Sequence, residues 1–337
     1  MHPSARILKC LIIISCLALL IVRFYAAKAD DRALKKVTFL PQWLPQAQFA
    51  GYYVAYERGF YKKYGIDLTI IPGGPERSPA DFLKKRQADF STLWLSAGIQ
   101  MRAQGVKVIN IAQMMQRSGL MLVAKKSKGI ERLEDINGKK VGLWGPIFQI
   151  QPQAFFKKYH LNVEVIRQSR SINLFLRDGV DVASAMWYNE YHTILDSGLN
   201  PDELTTFFFQ DHGLNFPEDG IYTLEETFNR DPDLCKTFVR ASMEGWRYAF
   251  EHPEETIAIV MKNLEIAHIP ATRVHQKWML ERMKDLICPV DVHVPMGTLL
   301  SEDYDRVAKC LRENGLIKQI PKFTSFNRCC NRYDEKK

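Results

Sequence analysis

Four short clusters of aromatic and polar residues carry the chemistry that this sequence offers. The first cluster follows an apolar stretch at 36–40 and contains Trp43, Gln48, Phe49 and Tyr52. A tryptophan presents a flat stacking surface, an amide donates and accepts hydrogen bonds, and a helix start adds unpaired backbone N–H groups. These residue types predict a binding site for a small flat molecule. The alternative is that Trp43 and Phe49 are core aromatics at a strand end.

The second cluster, at 185–191, follows another predicted strand and contains Tyr188, Asn189 and Glu190. A carboxylate beside aromatic rings suits an amino-bearing heteroaromatic ring, because Glu190 can accept hydrogen bonds from an exocyclic amine. A sulfonate or nitrate suits it poorly, because Glu190 repels an anion. The alternative is that Glu190 is simply a favourable acid in the first turn of a solvated helix.

The remaining candidates are Trp144, Ser96 and Asp219. Trp144 precedes a glycine turn and is either a second stacking surface or a core residue, and free N–H groups around Gly145 can hold an anionic or carbonyl group. Ser96 follows another predicted strand and offers a polar contact. Asp219 either touches the ligand or fixes a hinge, and we favour the hinge role.

The sequence contains no recognisable catalytic motif: G-x-S-x-G, H-E-x-x-H and the P-loop are all missing. The eight histidines are scattered, and none lies at zinc-ligand spacing from Cys329 and Cys330. We therefore expect a binding protein rather than an enzyme, with no cofactor and no metal site.

The elements that position these residues follow an alternating pattern. From Val37 onward, strand and helix patterns alternate, which predicts a mostly parallel sheet with helices on its faces. Ser78 is predicted to cap a helix with Pro79 at its first position. A second α/β unit covers 127–215, and the chain then crosses back near 220–224. Predicted strands are 36–40, 66–71, 88–94, 107–112, 120–124, 163–166 and 182–186, and 131–144 is predicted to hold a short helix, a turn and a strand. Predicted helices are 53–61 with its end near Gly59, 79–86, 97–104, 153–159, 172–178, a helical stretch from Pro232 with spacing kept over 234–249, 253–261 and 273–283.

The first cluster also resembles the start of a known family. Its residues follow the pattern W-x-P-x5-G-x-Y-x-A from Trp43 to Ala55, and G-F-Y at 59–61 and G-I-D-L at 65–68 come after it. This run resembles periplasmic substrate-binding proteins of the thiamine-pyrimidine-precursor group. That group also includes a fungal pyrimidine synthase and binders of sulfonates, nitrate or riboflavin. The phrase L-x-D-I-x-G-K-K-V-G at 133–142 resembles the opening of the second lobe in bilobal binding proteins.

The resemblance implies a bilobal type II periplasmic binding protein fold, in which two α/β lobes are joined by a two-strand hinge. The predicted organisation is a signal peptide at 1–29, the first lobe at 30–118, the second lobe at 119–217, and a return segment with C-terminal helices at 218–337. It also implies the solute-binding component of an ABC importer, with a permease and an ATPase as partners. Such a protein captures a small heteroaromatic ligand, here above all a thiamine pyrimidine precursor, by lobe closure.

Two departures from the family pattern bear on the competing hypotheses. Phe49 stands where pyrimidine-precursor binders often carry a histidine, so riboflavin, sulfonate and nitrate stay open as ligands. In the fungal synthase the corresponding region looks like a cysteine-rich metal-binding run. Segment 214–219 of this chain has no thiols. That difference argues against the rival hypothesis of a pyridoxal-phosphate-dependent pyrimidine synthase. A sensory module that signals to a kinase is a third hypothesis.

The N-terminus has the pattern of a secretory signal peptide. Arg6 and Lys9 precede an apolar stretch at 10–22, and an A-x-A-like cleavage site follows at 27–29. This predicts a periplasmic protein, with an uncleaved anchor or a lipoprotein at Cys16 as alternatives. Residues 1–29 hold four cations and no acidic residue, so the formal net charge of +8 falls to about +4 for the rest. The sequence has no Arg/Lys-rich helix to add to this small net charge, so we expect no nucleic-acid partner. We also expect a monomer.

Five cysteines follow the predicted signal peptide. They are Cys235, Cys288, Cys310, Cys329 and Cys330. In an oxidising compartment we expect disulfides among Cys288, Cys310 and one of the adjacent pair. The sequence does not give the connectivity, and the odd count leaves one thiol over.

Overall fold

A computed structural model describes residues 33–330 of the chain, so the predicted signal peptide, the lipobox cysteine and residues 331–337 lie outside the described residues. The strands are β1 (Lys35–Leu40), β2 (Ile66–Ile70), β3 (Phe90–Trp94), β4 (Val108–Gln113), β5 (Leu120–Lys125), β6 (Lys140–Leu143), β7 (Glu164–Arg167), β8 (Val182–Met186), β9 (Leu204–Phe208) and β10 (Asp219–Leu224). The helices are α1 (Ala50–Glu57), α2 (Phe60–Lys63), α3 (Pro79–Lys84), α4 (Leu95–Ala103), α5 (Pro146–Lys158), α6 (Asn173–Leu176), α7 (Glu190–Asp196), α8 (Glu225–Arg230), α9 (Pro232–Glu251), α10 (Pro253–Ile266), α11 (Arg273–Ile287), α12 (Ser301–Glu313) and α13 (Phe323–Phe326). Short 3₁₀ helices cover Ala47–Phe49, Lys126–Lys128, Leu133–Ile136, Pro201–Glu203 and Phe209–His212.

The described strands form two mixed sheets, and each sheet with its helices is one lobe. The first sheet has the order β2-β1-β3-β10-β4, and the second has the order β7-β6-β8-β5-β9. β1 pairs in parallel with β3, and β6 pairs in parallel with β7 and β8. β10 runs antiparallel to β3 and β4, and β5 runs antiparallel to β8 and β9. The reversed strand of each sheet is thus the strand that the chain enters after crossing between lobes, which is the two-crossing arrangement predicted from the sequence.

The loop after β1 leads into α1 earlier than the sequence pattern indicates. The helix predicted to run from Tyr53 and end near Gly59 is confirmed as α1, and a second short helix, α2, follows Gly59, whose φ is 71°. Every residue from Ala50 to Ala55 is buried, so this stretch lacks the polar face from which an amphipathic helix is recognised. The predicted helix at 79–86 is confirmed with its cap, because Ser78 Oγ accepts a hydrogen bond from the Asp81 N–H at 3.3 Å.

Aromatic residues hold the first lobe together around α9. The Phe238 ring stacks on Phe90 with centroids 4.1 Å apart and packs against Tyr61 at 5.3 Å and Phe39 at 5.4 Å. All four side chains are almost completely buried. α9 is therefore the helix that covers the face of the first sheet next to the Trp43 loop.

Two glycines allow α1 and α9 to cross at close range. A Cβ atom on Gly51 would lie 2.3 Å from Trp246 Cγ, and a Cβ atom on Gly245 would lie 2.1 Å from the Gly51 carbonyl oxygen. Trp246 is fully buried and cannot move aside. The crossing therefore requires glycine on both helices.

The C-terminal segment adds helices and an edge contact that the sequence pattern left largely unassigned. α11 runs four residues further than the predicted 273–283, and α12 and α13 follow it. The Arg328 and Cys330 N–H groups donate to the carbonyl oxygens of Asn110 and Ile111 at 2.8 Å. The tail thus covers the free edge of β4, as unpaired edge strands require.

The expected disulfides are wrong, because Cys288, Cys310 and Cys330 carry free thiols. Cys310 lies on the buried face of α12, and Cys330 is buried beside β4, whereas Cys288 is exposed at the end of α11. Burial raises the pKa of Cys310 to about 11 and that of Cys330 to about 12. These two thiols are therefore protonated and unreactive near neutral pH.

Replacing Gly51 by alanine tests the helix crossing. We expect the free energy of unfolding to fall by about 2 kcal/mol or more, because the new methyl overlaps a tryptophan ring that has no space to move. Urea unfolding of the variant measures this loss. Gly145→Ala is the control, because a Cβ there meets nothing within 4 Å. Equal stability of the two variants contradicts the proposed close approach.

Candidate functional site

The ends of strands from both lobes surround one cavity of about 590 Å³. This volume falls within the range of about 300–1,000 Å³ that is usual for small-molecule sites. The cavity wall comes from the ends of strands and from the loops and helix starts that follow β1, β2 and β3 in the first lobe and β6, β7 and β8 in the second. The lining residues are Gln42, Trp43, Gln46, Gln48, Ser78, Pro79, Ala80, Leu93, Trp94, Ala97, Trp144, Gly145, Ile147, Phe148, Arg167, Gln168, Ser169, Arg170, Met186, Tyr188, Asn189 and Glu190.

Aromatic rings from both lobes form much of the wall. The Phe148 ring stands edge-on to Trp94 at 4.9 Å and to Trp144 at 5.6 Å, so it links an aromatic of the first lobe to one of the second. Trp144 Nε1 donates to the Ser169 carbonyl oxygen at 3.0 Å, which fixes the plane of its ring. Trp43 is half-buried at the wall. The site therefore offers several flat apolar surfaces to a ligand.

Glu190 combines the two placements that the sequence analysis treated as alternatives, in the first turn of a helix and at the cavity. It is the first residue of α7, and its carboxylate accepts hydrogen bonds from the Met186 N–H at 3.0 Å and from Asn189 Nδ2 at 2.9 Å. It also lines the cavity, where each carboxylate oxygen keeps lone pairs for a ligand donor. Burial raises the pKa of Glu190, and these two hydrogen bonds oppose that shift.

Asp219 lies behind the wall and orients two of the amides that line it. Its carboxylate accepts from Gln48 Nε2 at 2.8 Å and from Gln42 Nε2. The Gln42 N–H in turn donates to Thr92 Oγ1 at 2.8 Å. Asp219 itself is absent from the cavity lining, so it positions Gln42 and Gln48 rather than facing the cavity.

Three predicted contact residues lie elsewhere, and the expectation for them is corrected. Phe49 and Tyr52 are 0% and 1% exposed, and the Tyr52 ring packs against Phe39 and Trp246 at 4.8 and 5.8 Å. Both belong to the core between β1 and α9, because the 3₁₀ turn and α1 direct them away from the cavity. Ser96 is buried in the first turn of α4 and is not a lining residue. Phe49 therefore says little about the ligand.

Two arginines line the cavity that the sequence analysis missed. Arg167 ends β7 and Arg170 follows it, and both are exposed. Within residues 33–330, no carboxylate lies within ion-pair distance of either guanidinium. The strand predicted at 163–166 ends just before them, so the strand-end argument used for Trp43 also applies here. Their charge attracts an anionic substituent on a ligand.

A second buried carboxylate, Glu218, joins the two crossings between the lobes. It lies at the start of the return crossing and accepts from the Gly119 N–H at 2.6 Å, the Leu120 N–H at 3.0 Å and Ser118 Oγ at 2.9 Å. Burial and the adjacent charge of Asp219 raise the pKa of Glu218 to about 8, and burial raises the pKa of Asp219 to about 7. Near neutral pH this pair therefore holds protons.

These pKa values predict a pH-dependent stability. The pKa values of Glu218 and Asp219 are higher in the folded protein than in the unfolded chain. Their protonation therefore stabilises the folded protein fully below about pH 4, and this stabilisation is lost as pH rises through about 7 and 8. We expect the free energy of unfolding to fall between about pH 5 and pH 9, and to fall less steeply in Glu218→Gln, whose amide resembles the protonated acid. Chemical denaturation across this range measures both slopes. Exposed Glu265→Gln is the control, and equal slopes in all three proteins contradict the assignment.

Comparison with known proteins places the chain in a family. Residues 46–256 match the family model described as NMT1/THI5 like, which covers more than half of the chain. The chain belongs to the NMT1/THI5-like family.

Members and relatives of this family differ in what their names describe. The riboflavin-binding protein RibY of Chloroflexus aurantiacus is 22% identical over 296 residues, covering 84% of this chain and 82% of that protein. The formylaminopyrimidine-binding protein of Halalkalibacterium halodurans is 21% identical over 303 residues, covering 86% of this chain and 89% of that protein. A 4-amino-5-hydroxymethyl-2-methylpyrimidine phosphate synthase of Legionella pneumophila is 24% identical over 244 residues, covering 67% and 72%. The NMT1/THI5-like relatives thus include both binders and synthases.

Solved structures show the same fold. The periplasmic aliphatic sulphonate binding protein SsuA from Escherichia coli superposes with a TM-score of 0.68 at 14% identity, covering 86% of this chain and 91% of that one. The periplasmic binding protein fold predicted from the sequence is therefore confirmed. Among the described residues, no helix combines the length and apolar character that crossing a bilayer needs.

Proposed function

We propose that this NMT1/THI5-like protein is the solute-binding component of an ABC importer and binds a small flat heteroaromatic molecule between its lobes. The observation that carries the proposal is the cavity itself. Its wall combines aromatic rings and amides from both lobes with the carboxylate of Glu190. The riboflavin-binding and formylaminopyrimidine-binding relatives, which cover more than four fifths of the chain, support it.

The polar groups of the wall narrow the ligand class. Glu190 accepts hydrogen bonds from an exocyclic amine, while Trp43 and Trp144 stack on or pack against a ring. Gln42 and Gln48, held by Asp219, read ring nitrogens and carbonyls. An aminopyrimidine, such as a thiamine pyrimidine precursor, presents these groups together. We propose it as the ligand, with Arg167 attracting an anionic substituent.

The import role brings partners and a location with it. We propose a permease and an ATPase as partners, a periplasmic location after export through the N-terminal segment, and a monomeric binding protein. The ligand is held when the two lobes close, because Trp43 and Glu190 lie on different lobes and reach it together only in a closed arrangement.

The synthase hypothesis fits this wall less well. Formation of a pyridoxal phosphate Schiff base requires a lysine amine, and no lysine lines the cavity among the described residues. The crossing segment at 214–219 makes contacts at the hinge, where Asn215 Nδ2 donates to the Gln116 carbonyl oxygen at 2.9 Å. We therefore propose binding rather than catalysis as the activity.

A sulfonate is the second candidate ligand. Arg167 and Arg170 are the observation that favours it, because two guanidinium groups on one wall suit an oxyanion. Glu190 lies on the same wall and opposes an anion that approaches it. The two candidates therefore differ in which side of the cavity the ligand contacts.

Substitutions on the two lobes test the aminopyrimidine site. We expect Trp43→Ala and Glu190→Gln each to weaken ligand binding at least about tenfold. The first variant removes a stacking surface, and the second removes a charged hydrogen-bond acceptor. Isothermal titration calorimetry measures the affinities. Tyr56→Ala and Glu265→Gln are matched controls, since both side chains are exposed outside the cavity. If the first two variants lose stability of the empty protein rather than affinity, the residues are structural.

A thermal-shift screen identifies the ligand. The panel contains hydroxymethyl- and formylamino-pyrimidines, thiamine, riboflavin, taurine, alkanesulfonates and nitrate. A ligand at about a hundred times its dissociation constant stabilises a protein by about 2.7 kcal/mol, which raises Tm by several degrees. We expect a shift with a pyrimidine that Glu190→Gln reduces. A shift confined to sulfonates that Arg167→Gln abolishes supports the second candidate and contradicts the first.

A further inference from the structure

Three side chains outside the cavity wall have the composition of a metal site. His192 and Asp196 project from α7 one helical turn apart, and the i,i+4 spacing places them on the same face. His275 reaches them from the first turn of α11. Thr272 caps that turn by accepting from the His275 N–H at 3.2 Å, which fixes the backbone that carries this histidine. Sequence analysis found no such site because 83 residues separate the two histidines.

The distances between the three side chains suit one small cation. His192 Nδ1 lies 3.1 Å from His275 Nδ1 and 3.2 Å from Asp196 Oδ2. The three potential ligand atoms all lie within 4.8 Å of one another. In a tetrahedral zinc site with bonds of about 2.0–2.1 Å, neighbouring ligand atoms are about 3.3 Å apart. The His192–His275 and His192–Asp196 distances are therefore already close to those of a zinc site. Rotation of the exposed Asp196 side chain can shorten the remaining distance, between Asp196 and His275.

The hydrogen bond on the other side of His275 orients its ring for a metal. His275 Nε2 lies 2.8 Å from Asn189 Oδ1, while Asn189 Nδ2 donates to Glu190. Because the amide oxygen only accepts, we assign the proton to Nε2, and the Nδ1 lone pair of His275 then faces His192. A histidine ligand usually donates its second ring N–H to an oxygen in this way. Asn189 therefore supplies the outer hydrogen bond of a metal ligand.

The surroundings of the cluster exclude part of the solvent. His192 is only 7% exposed, and the Trp278 ring lies beside it with centroids 5.0 Å apart. Without a metal, one proton between the two Nδ1 atoms satisfies both rings. A cation that replaces this proton gains two imidazole ligands and one carboxylate at once.

We propose that His192, Asp196 and His275 bind one divalent transition metal ion, zinc above all, with water as the fourth ligand. Two imidazoles and one carboxylate suit zinc better than calcium or magnesium, which prefer sites made only of oxygen. The ion links α7 of the second lobe to α11, which also holds the Trp43 loop through the Ala47 N–H to Gln276 Oε1 bond of 2.8 Å. It thus joins the two sides of the cavity near Asn189.

Zinc titration of the full, EDTA-treated chain tests the proposal without any organic ligand. We expect calorimetry to give one zinc ion per chain and zinc to raise Tm by a few degrees. Cobalt substitution should give the intense visible bands of a four-coordinate ion. His192→Gln, His275→Gln and Asp196→Asn should each lower zinc affinity at least tenfold and remove the cobalt bands. Asn189→Ala should weaken zinc about tenfold, as expected for an outer partner of a ligand.

The control is His293→Gln, which alters an exposed histidine outside the cluster and should leave zinc binding unchanged. Tm values measured in EDTA show whether each variant is folded. If the histidine variants unfold, the exposed Asp196→Asn variant decides the result. The proposal is overturned if the wild-type chain binds no zinc, or if Asp196→Asn and His293→Gln bind it equally well.

Discussion

Two adjacent buried carboxylates are the constraint on which this structure depends. Glu218 accepts hydrogen bonds from backbone N–H groups of the other crossing, and Asp219, the next residue, accepts from the amides of Gln42 and Gln48. A buried carboxyl group without partners is costly, so each one forces its donors into place. The first fixes how the two crossings pack together, and the second fixes the polar wall of the cavity. A two-residue segment therefore connects the hinge to the ligand site.

This connection has a consequence for how a ligand affects the lobes. A ligand that bonds to Gln42 or Gln48 changes the environment of Asp219, whose charge acts directly on Glu218. Glu218 in turn holds the backbone at Gly119 and Leu120, where the chain enters the second sheet. Binding at the wall and packing at the hinge thus share one set of hydrogen bonds. The protonation states of Glu218 and Asp219 affect these same hydrogen bonds.

The sequence predicted the strands better than it predicted the side chains that line the site. Strands after Val37 have clear β-branched and apolar patterns, and residues that follow them, such as Trp43, Trp144 and Glu190, do reach the cavity. Phe49 and Tyr52 do not, because the position of a side chain one turn further on depends on how α1 packs against α9, which periodicity does not show. α5 begins at Pro146, seven residues before the helix predicted at 153–159, and includes Pro152 in its interior. Arg167 directly follows the strand predicted at 163–166, but the strand-end argument was not applied to it, so it was missed.

The two links between the lobes differ in kind, and the difference bears on function. The hinge link is fully buried, and Glu218 accepts from two backbone N–H groups and the Ser118 hydroxyl. The His192–His275 link joins side chains of two helices at a half-exposed position and depends on one shared proton or one bound cation. A single side chain, Asn189, contacts both this cluster and Glu190 on the cavity wall, so the two places share a hydrogen-bonding partner. By linkage, any preference of a metal for the arrangement that holds ligand must appear as an equal preference of the ligand for the metal-bound protein.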